Sequence, residues 1–139
     1  MNSRLWFQNL PELRLIGEPR ESPGVTVFPV EAAAGPGHCP YCKQSVSLYK
    51  YGTRIQTMMD VPIRSKPVEL QLVRKRYRCR ECGVTFWENL QCFDPSRKMT
   101  KRLVEAIKQH SFVKNYSEIA AECGIHEKTV RNCVKQETG

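Results

Sequence analysis

The sequence predicts an α+β chain in which a small β region marked by four cysteines is followed by three helices. Three observations predict it. Two Cys-x-x-Cys pairs, Cys39-Pro-Tyr-Cys42 and Cys79-Arg-Glu-Cys82, stand with 36 residues between them. Much of the intervening sequence alternates apolar and polar side chains at the period of two that a half-buried strand requires. From Met99 onward the apolar residues change to the spacing of three and four that marks one face of a helix. A chain of 139 residues has the size of one domain or two very small ones. The expected organisation is an N-terminal extension over 1–37, whose short strands pack on a finger over 38–93, and a helical domain over 94–139.

Taken in order, Leu13–Gly17 and Val25–Val30 are extended candidates separated by a turn-like Glu18-Pro-Arg-Glu-Ser-Pro-Gly24. Ala32-Ala-Ala-Gly-Pro-Gly37 reads as a linker into the first cysteine pair. Ser45–Tyr51 reads as a strand, Gly52 as a turn and Arg54–Val61 as extended. Pro67–Arg78 is a long run in which Val68, Leu70 and Leu72 share one face while Glu69 and Gln71 point away. Beyond Pro95, Met99, Leu103, Val104, Ile107 and Phe112 predict a first helix capped by Thr100 or Ser96. Asn115 and Glu118 have the spacing of a capping box for a second helix carrying Ile119, Ala120 and Cys123. A third helix is expected to start near His126, with Val130 and Cys133 inward and a weaker cap than Ser, Thr or Asp would give.

The cysteine pairs bear on chemistry first. The start of the chain lacks the pattern of a secretory signal and no window of about 18 apolar residues exists, so a cytoplasmic chain with no membrane contact is expected. Seven cysteines in a reduced compartment point to metal or redox chemistry rather than to disulfides. Cys39, Cys42, Cys79 and Cys82 offer four thiolates, which in a tetrahedron at about 2.3 Å form a closed structural Zn²⁺ site without an open position for chemistry. One structural zinc is therefore the expected cofactor, and its binding free energy becomes folding free energy. Gly83 suits the tight turn in which backbone N–H groups approach thiolate sulfur. Cys-Pro-Tyr-Cys alone has the form of a glutaredoxin active site, but redox work wants it between a strand and a helix. Gly35-Pro-Gly37 before it and the β-prone Ser45-Val-Ser-Leu-Tyr after it fit neither flank. Cys92, Cys123 and Cys133 read as small apolar residues.

The net charge of +8 is uneven: −1 over 1–37, +6 over 38–93 and +3 over 94–139. An excess of this kind attracts polyanions, nucleic acid above all. Arg74, Lys75, Arg76, Arg78 and Arg80 place five cations in seven residues leading into the second cysteine pair. Part of that cluster compensates the −2 of a zinc tetrathiolate, and the remainder suits phosphate.

Tyr116-Ser-Glu-Ile-Ala-Ala-Glu-Cys-Gly-Ile-His-Glu-Lys-Thr-Val-Arg-Asn-Cys-Val has the pattern of a helix-turn-helix, with small Ala120 where helices approach and Gly124 at the turn. Its third helix would enter the major groove of double-stranded DNA with His126, Lys128, Arg131 and Asn132 toward base edges. Arg131 suits guanine and Asn132 adenine, whereas Lys135 and, from the first helix, Lys101 suit phosphate.

Read together, Cys39-Pro-x-Cys42, Tyr51-Gly52, Asp60-Val-Pro62, Arg76-Tyr-Arg-Cys79, Cys82, Phe86-x-Glu88 and the helices around Gly124 resemble the N-terminal half of the ISL-three family of bacterial insertion-sequence transposases. The resemblance implies a region that recognises the terminal inverted repeats of a mobile element. It also implies a separate RNase H-like domain carrying an Asp-Asp-Glu metal site. With Asp60 and Asp94 as its only aspartates, this chain is expected to hold no catalytic residues. A second copy of the chain, in a homodimer, is an expected partner beside DNA; a stand-alone regulator or protein-interaction module and a thiol oxidoreductase on Cys39 and Cys42 are the competing expectations.

Overall fold

A computed structural model describes residues 10–43 and 47–135. The long apolar alternation of the sequence becomes a two-stranded ribbon, β4 (Leu48–Ile63) and β5 (Lys66–Cys79), at the centre of a curled eight-stranded sheet. Val68, Leu70 and Leu72 of β5 are buried as their period of two requires. The expected strand start at Ser45 and Val46 lies outside the described residues. Arg64 and Ser65 join β4 to β5, both with positive φ, 53° and 62°. That matches the right-handed twist of a tight hairpin even without glycine.

The N-terminal strands are β1 (Leu13–Leu15), β2 (Arg20–Ser22) and β3 (Val25–Ala32). β3 lies parallel to β5 and carries β1 and β2 antiparallel on its other side. The stretch expected to be only a turn between strands thus contains β2, because the turn narrows to Pro23-Gly24 and leaves Arg20–Ser22 in register with Val25–Val27. Gly52 is also not a turn: β4 continues through it, and the register shift between Lys50 and Thr53 makes it a bulge with φ 133°. Short strands β6 (Thr85–Trp87), β7 (Phe93–Asp94) and β8 (Met99–Thr100) complete the sheet.

Three helices follow among the described residues, α1 (Lys101–His110), α2 (Tyr116–Cys123) and α3 (Glu127–Lys135). Thr100 caps α1, its hydroxyl accepting from the Leu103 N–H at 3.2 Å. Asn115 caps α2, its side-chain oxygen accepting from the Glu118 N–H at 2.8 Å, while its side-chain NH₂ donates to the Glu118 carboxylate at 2.7 Å. Phe112, expected on the apolar face of the first helix, lies beyond its end and is 80% exposed. Met99 pairs as a strand with Met59 before the helix begins.

Two cores result. One joins Leu13, Phe28, Val30, Met58, Leu70 and Phe93; the other joins Met99, Leu103, Ile107, Ile119, Val130 and Cys133. β4 serves both, Met58 facing the first while Met59 and Val61 pack on the second. Between them, fully buried Asp60 accepts from the Thr100 hydroxyl at 2.5 Å and from Arg102 through both carboxylate oxygens, at 3.0 and 2.7 Å. The start of α1 is thereby tied to the middle of the sheet.

Candidate metal centre and nucleic-acid interface

Both Cys-x-x-Cys pairs form the same local turn. After the first, the Lys43 N–H bonds to the Cys39 carbonyl at 2.9 Å; after the second, the Gly83 N–H bonds to the Cys79 carbonyl at 2.8 Å. Lys43 (φ 67°) and Gly83 (φ 75°) both occupy the left-handed region that closes such a turn. Gly83 thus makes the turn in which the backbone N–H of Val84 reaches the Cys82 sulfur. The N–H groups of Cys42 and Tyr41 likewise reach the Cys39 sulfur, and, led by the Cys42 N–H, they hold the Cys39 thiol down at about 7 despite the cost of burial.

The knuckles meet because β4 and β5 bring Leu48 opposite Cys79. All four sulfurs lie within 4.8 Å of one another. The close pairs run between the knuckles, Cys39 to Cys82 at 3.7 Å and Cys42 to Cys79 at 3.6 Å. A tetrahedron with metal–sulfur bonds of about 2.3 Å has edges of about 3.8 Å, whereas a disulfide brings its sulfurs to about 2.05 Å. The four thiols thus fit one zinc ion and together can hold it; redox pairing within Cys39-Pro-Tyr-Cys42 is not the arrangement they adopt. His38 is not part of the cluster. Cys92 is pushed up to about 12 by burial and then by the neighbouring Glu12, and Cys123 up to about 11 by burial, so these thiols behave as apolar filling.

The basic strand divides by face. Lys75 points to the side of Tyr77, where its ammonium pairs with Glu31 at 3.3 Å in a nearly buried position. Beside it Glu88, buried, accepts the Lys75 backbone N–H at 2.9 Å, and desolvation raises its carboxyl above the ordinary range. Arg74, Arg76 and Arg78 lie on the opposite face of β5, where aromatic rings separate them. The Trp87 ring has the guanidinium carbons of Arg54, Arg76 and Arg74 at 5.1, 5.5 and 5.8 Å from its centre. The Tyr51 ring has Arg76 and Arg78 at 5.1 and 5.4 Å, and Arg80 lies 4.4 Å from the Tyr49 ring. Each such contact holds a guanidinium in place with about 0.5–1 kcal/mol at an exposed site. Arg54, Trp87, Tyr49 and Tyr51 were not singled out from the sequence for this face. The signal was present in the period of two, which separates Arg74, Arg76 and Arg78 from Lys75.

On α3, Val130 and Cys133 are buried while Lys128, Arg131, Asn132 and Lys135 are exposed, as is His126 just before it. Arg131 reaches Glu127 at 3.5 Å along the helix. Gly124, at φ 69°, turns the chain from α2 into α3. A Cβ there would also stand 2.8 Å from Cβ of Pro67, so glycine is what lets the turn rest on the sheet. Lys101, exposed at the start of α1, lines the same cleft as Arg74. No helix among the described residues is long and apolar enough to cross a membrane.

No curated protein and no solved structure matches the chain. Residues 35–82, about a third of the chain, match the family model of the zinc-finger of transposase IS204/IS1001/IS1096/IS1165. The match takes in both knuckles and the ribbon between them and ends before the helices. That stretch is similar to the zinc-finger of those transposases, and its four cysteines are placed for one zinc ion.

Proposed function

We propose that this chain is a sequence-specific DNA-recognition region of a transposase, in which zinc is structural and the ends of a mobile element, its terminal inverted repeats, are the target. The observation that carries this reading is the exposed polar and basic face of α3 beside a zinc ribbon whose relatives are transposases. α2, the Gly124 turn and α3 act as a helix-turn-helix, and α3 enters the major groove. His126, Lys128, Arg131 and Asn132 contact base edges; Lys101, Lys135 and the ribbon arginines contact phosphate. The Arg131–Glu127 pair, about half exposed, is weak enough to exchange for a guanine edge. Lys75, held by Glu31, supports the ribbon from behind. The chain contributes recognition and no bond-breaking step.

The test compares two variants on a panel of duplexes related to the bound site. Arg131→Ala should lower affinity for the preferred sequence by about 1–3 kcal/mol and flatten discrimination at one position. Arg76→Ala should weaken binding to every member of the panel alike and reduce the salt dependence by about one unit of slope. Uniform loss from both changes contradicts the division of roles. A protein-docking reading draws on exposed Phe112 and Val113; it predicts that neither variant alters binding to any partner and that duplex affinity is negligible at physiological salt.

A further inference from the structure

The arginine face of the ribbon and the third helix are connected by a trough. One cleft of about 490 Å³ takes in Arg74, Lys98 and Lys101; a second of about 670 Å³ takes in Arg54, Lys98 and His126. Gln56, Met58 and Lys98 line both. Lys98 sits between them at φ 52°, a conformation that costs a residue with a side chain, and its carbonyl accepts the Met59 N–H at 3.0 Å. Asp94 also lines the first cleft, but its carboxylate is held by Arg97 at 2.9 Å. Positive charge therefore continues from the zinc end of β5 to the start of α3.

Two features define what this surface takes. Among the described residues, no ion pair joins Arg54, Arg74, Arg76, Arg78 or Arg80 to a carboxylate. Cations crowded on one face repel, and ring faces between them offset this only in part, so a polyanion is the missing counter-charge. The rings themselves are occupied by guanidinium groups, which leaves them poor platforms for unpaired bases. A paired helix, with its bases stacked inside and its phosphates outside, is the matching ligand. Arg74 to Arg78 spans four strand residues, about 13 Å, which is the axial rise of about four base pairs of a duplex.

We propose that the aromatic-backed arginine face of the β4–β5 ribbon binds the sugar-phosphate backbone of duplex DNA flanking the base pairs read by α3, the two forming one surface through the Lys98 trough. The proposal rests on the DNA-recognition reading above and adds to it where the arginine face lies relative to the base pairs that α3 reads, and the residues Arg54, Trp87, Tyr49, Tyr51 and Lys98.

The experiment measures affinity of the zinc-loaded chain for a long duplex, with about ten base pairs on each side of the selected site, and for versions trimmed on one side or the other. Wild type should lose at least about tenfold on trimming one particular side. The Arg54→Ala, Arg76→Ala, Arg78→Ala triple variant should bind the long duplex as weakly as wild type binds the trimmed one. It should lose little more on trimming, and its salt slope should fall by about two to three units. Trp87→Leu keeps every charge but removes the support; it should weaken binding to the long duplex several-fold and leave the trimmed duplex unchanged. Zinc content and thermal unfolding confirm that each variant is folded, and the Trp87→Leu comparison stands if the triple variant is not. Equal losses on trimming for wild type and variants would overturn the proposal while leaving recognition by α3 intact; single-stranded DNA competing as well as duplex would overturn both. If wild type binds no duplex at all, the functional reading fails and this proposal fails with it.

Discussion

At the residue scale, the two knuckles make the most direct comparison. They differ at the residue that closes the turn, Gly83 in one and Lys43 in the other, although both have positive φ. Left-handed backbone costs a side-chain-bearing residue about 1–2 kcal/mol, part of which glycine returns as entropy of the unfolded chain. Lys43→Gly should therefore stabilise the zinc-loaded protein by about 0.5–1 kcal/mol in denaturant unfolding at fixed free zinc. Gly124→Ala meets both a positive φ and the Pro67 side chain, and a loss of about 2–4 kcal/mol is expected.

Glu88 gives a pH signature at the same scale. Its folded carboxyl titrates above the ordinary value because burial disfavours its charge, so the folded state holds the proton longer than the unfolded state. Stability from this group is present below the unfolded value near 4.5 and is lost as pH rises through the folded value. Glu88→Gln keeps an acceptor for the Lys75 N–H and removes the titration. The variant should gain stability relative to wild type between pH 4 and pH 7, and a difference that is flat with pH would contradict the assignment.

At the scale of elements, the strands and helices were largely legible where a single physical signal governs. The period of two placed Val68, Leu70 and Leu72, and the Asn115–Glu118 spacing placed the start of α2. Errors fell where two signals compete. Gly52 reads as a turn by composition, yet cross-strand pairing carries β4 past it as a bulge. Met99 has helical spacing to Leu103 but pairs with Met59, because burial against β4 satisfies it before the helix starts. The parallel pairing of β3 with β5 was not legible, since register between distant strands leaves no local trace. Nor did Asp60 announce its role; its partners are 40 and 42 residues away. Removing a buried, hydrogen-bonded ion-pair partner strands the other, so Asp60→Ala should cost about 3–5 kcal/mol in thermal or denaturant unfolding. Asp60→Asn, which keeps an acceptor for Arg102, should cost less.

At the scale of the molecule, the sequence made the metal site plain because four equivalent ligands at repeated spacing have few other uses, and the sulfur geometry fits one zinc ion. The nucleic-acid surface was legible as a quantity of charge but not as a shape. Lys75 counted with its neighbours until the sheet turned it toward Glu31, and Arg54 gained its place only through pairing opposite Arg74. Zinc at one end and the Asp60 tie near the other hold this surface on one scaffold. A structural zinc contributes about 10–16 kcal/mol, comparable to the whole net stability of a small protein. Chelation should abolish the cooperative thermal transition, and Cys82→Ser should lower zinc content below one per chain.

The most direct measurement is selection of bound sequences from a random pool of duplex DNA by the zinc-loaded chain, with a chelated sample alongside. The account predicts enrichment of one defined sequence by the loaded protein, lost on chelation and lost at one position in Arg131→Ala. Recovery of unenriched DNA by the loaded protein, or of the same sequence after zinc removal, would contradict it.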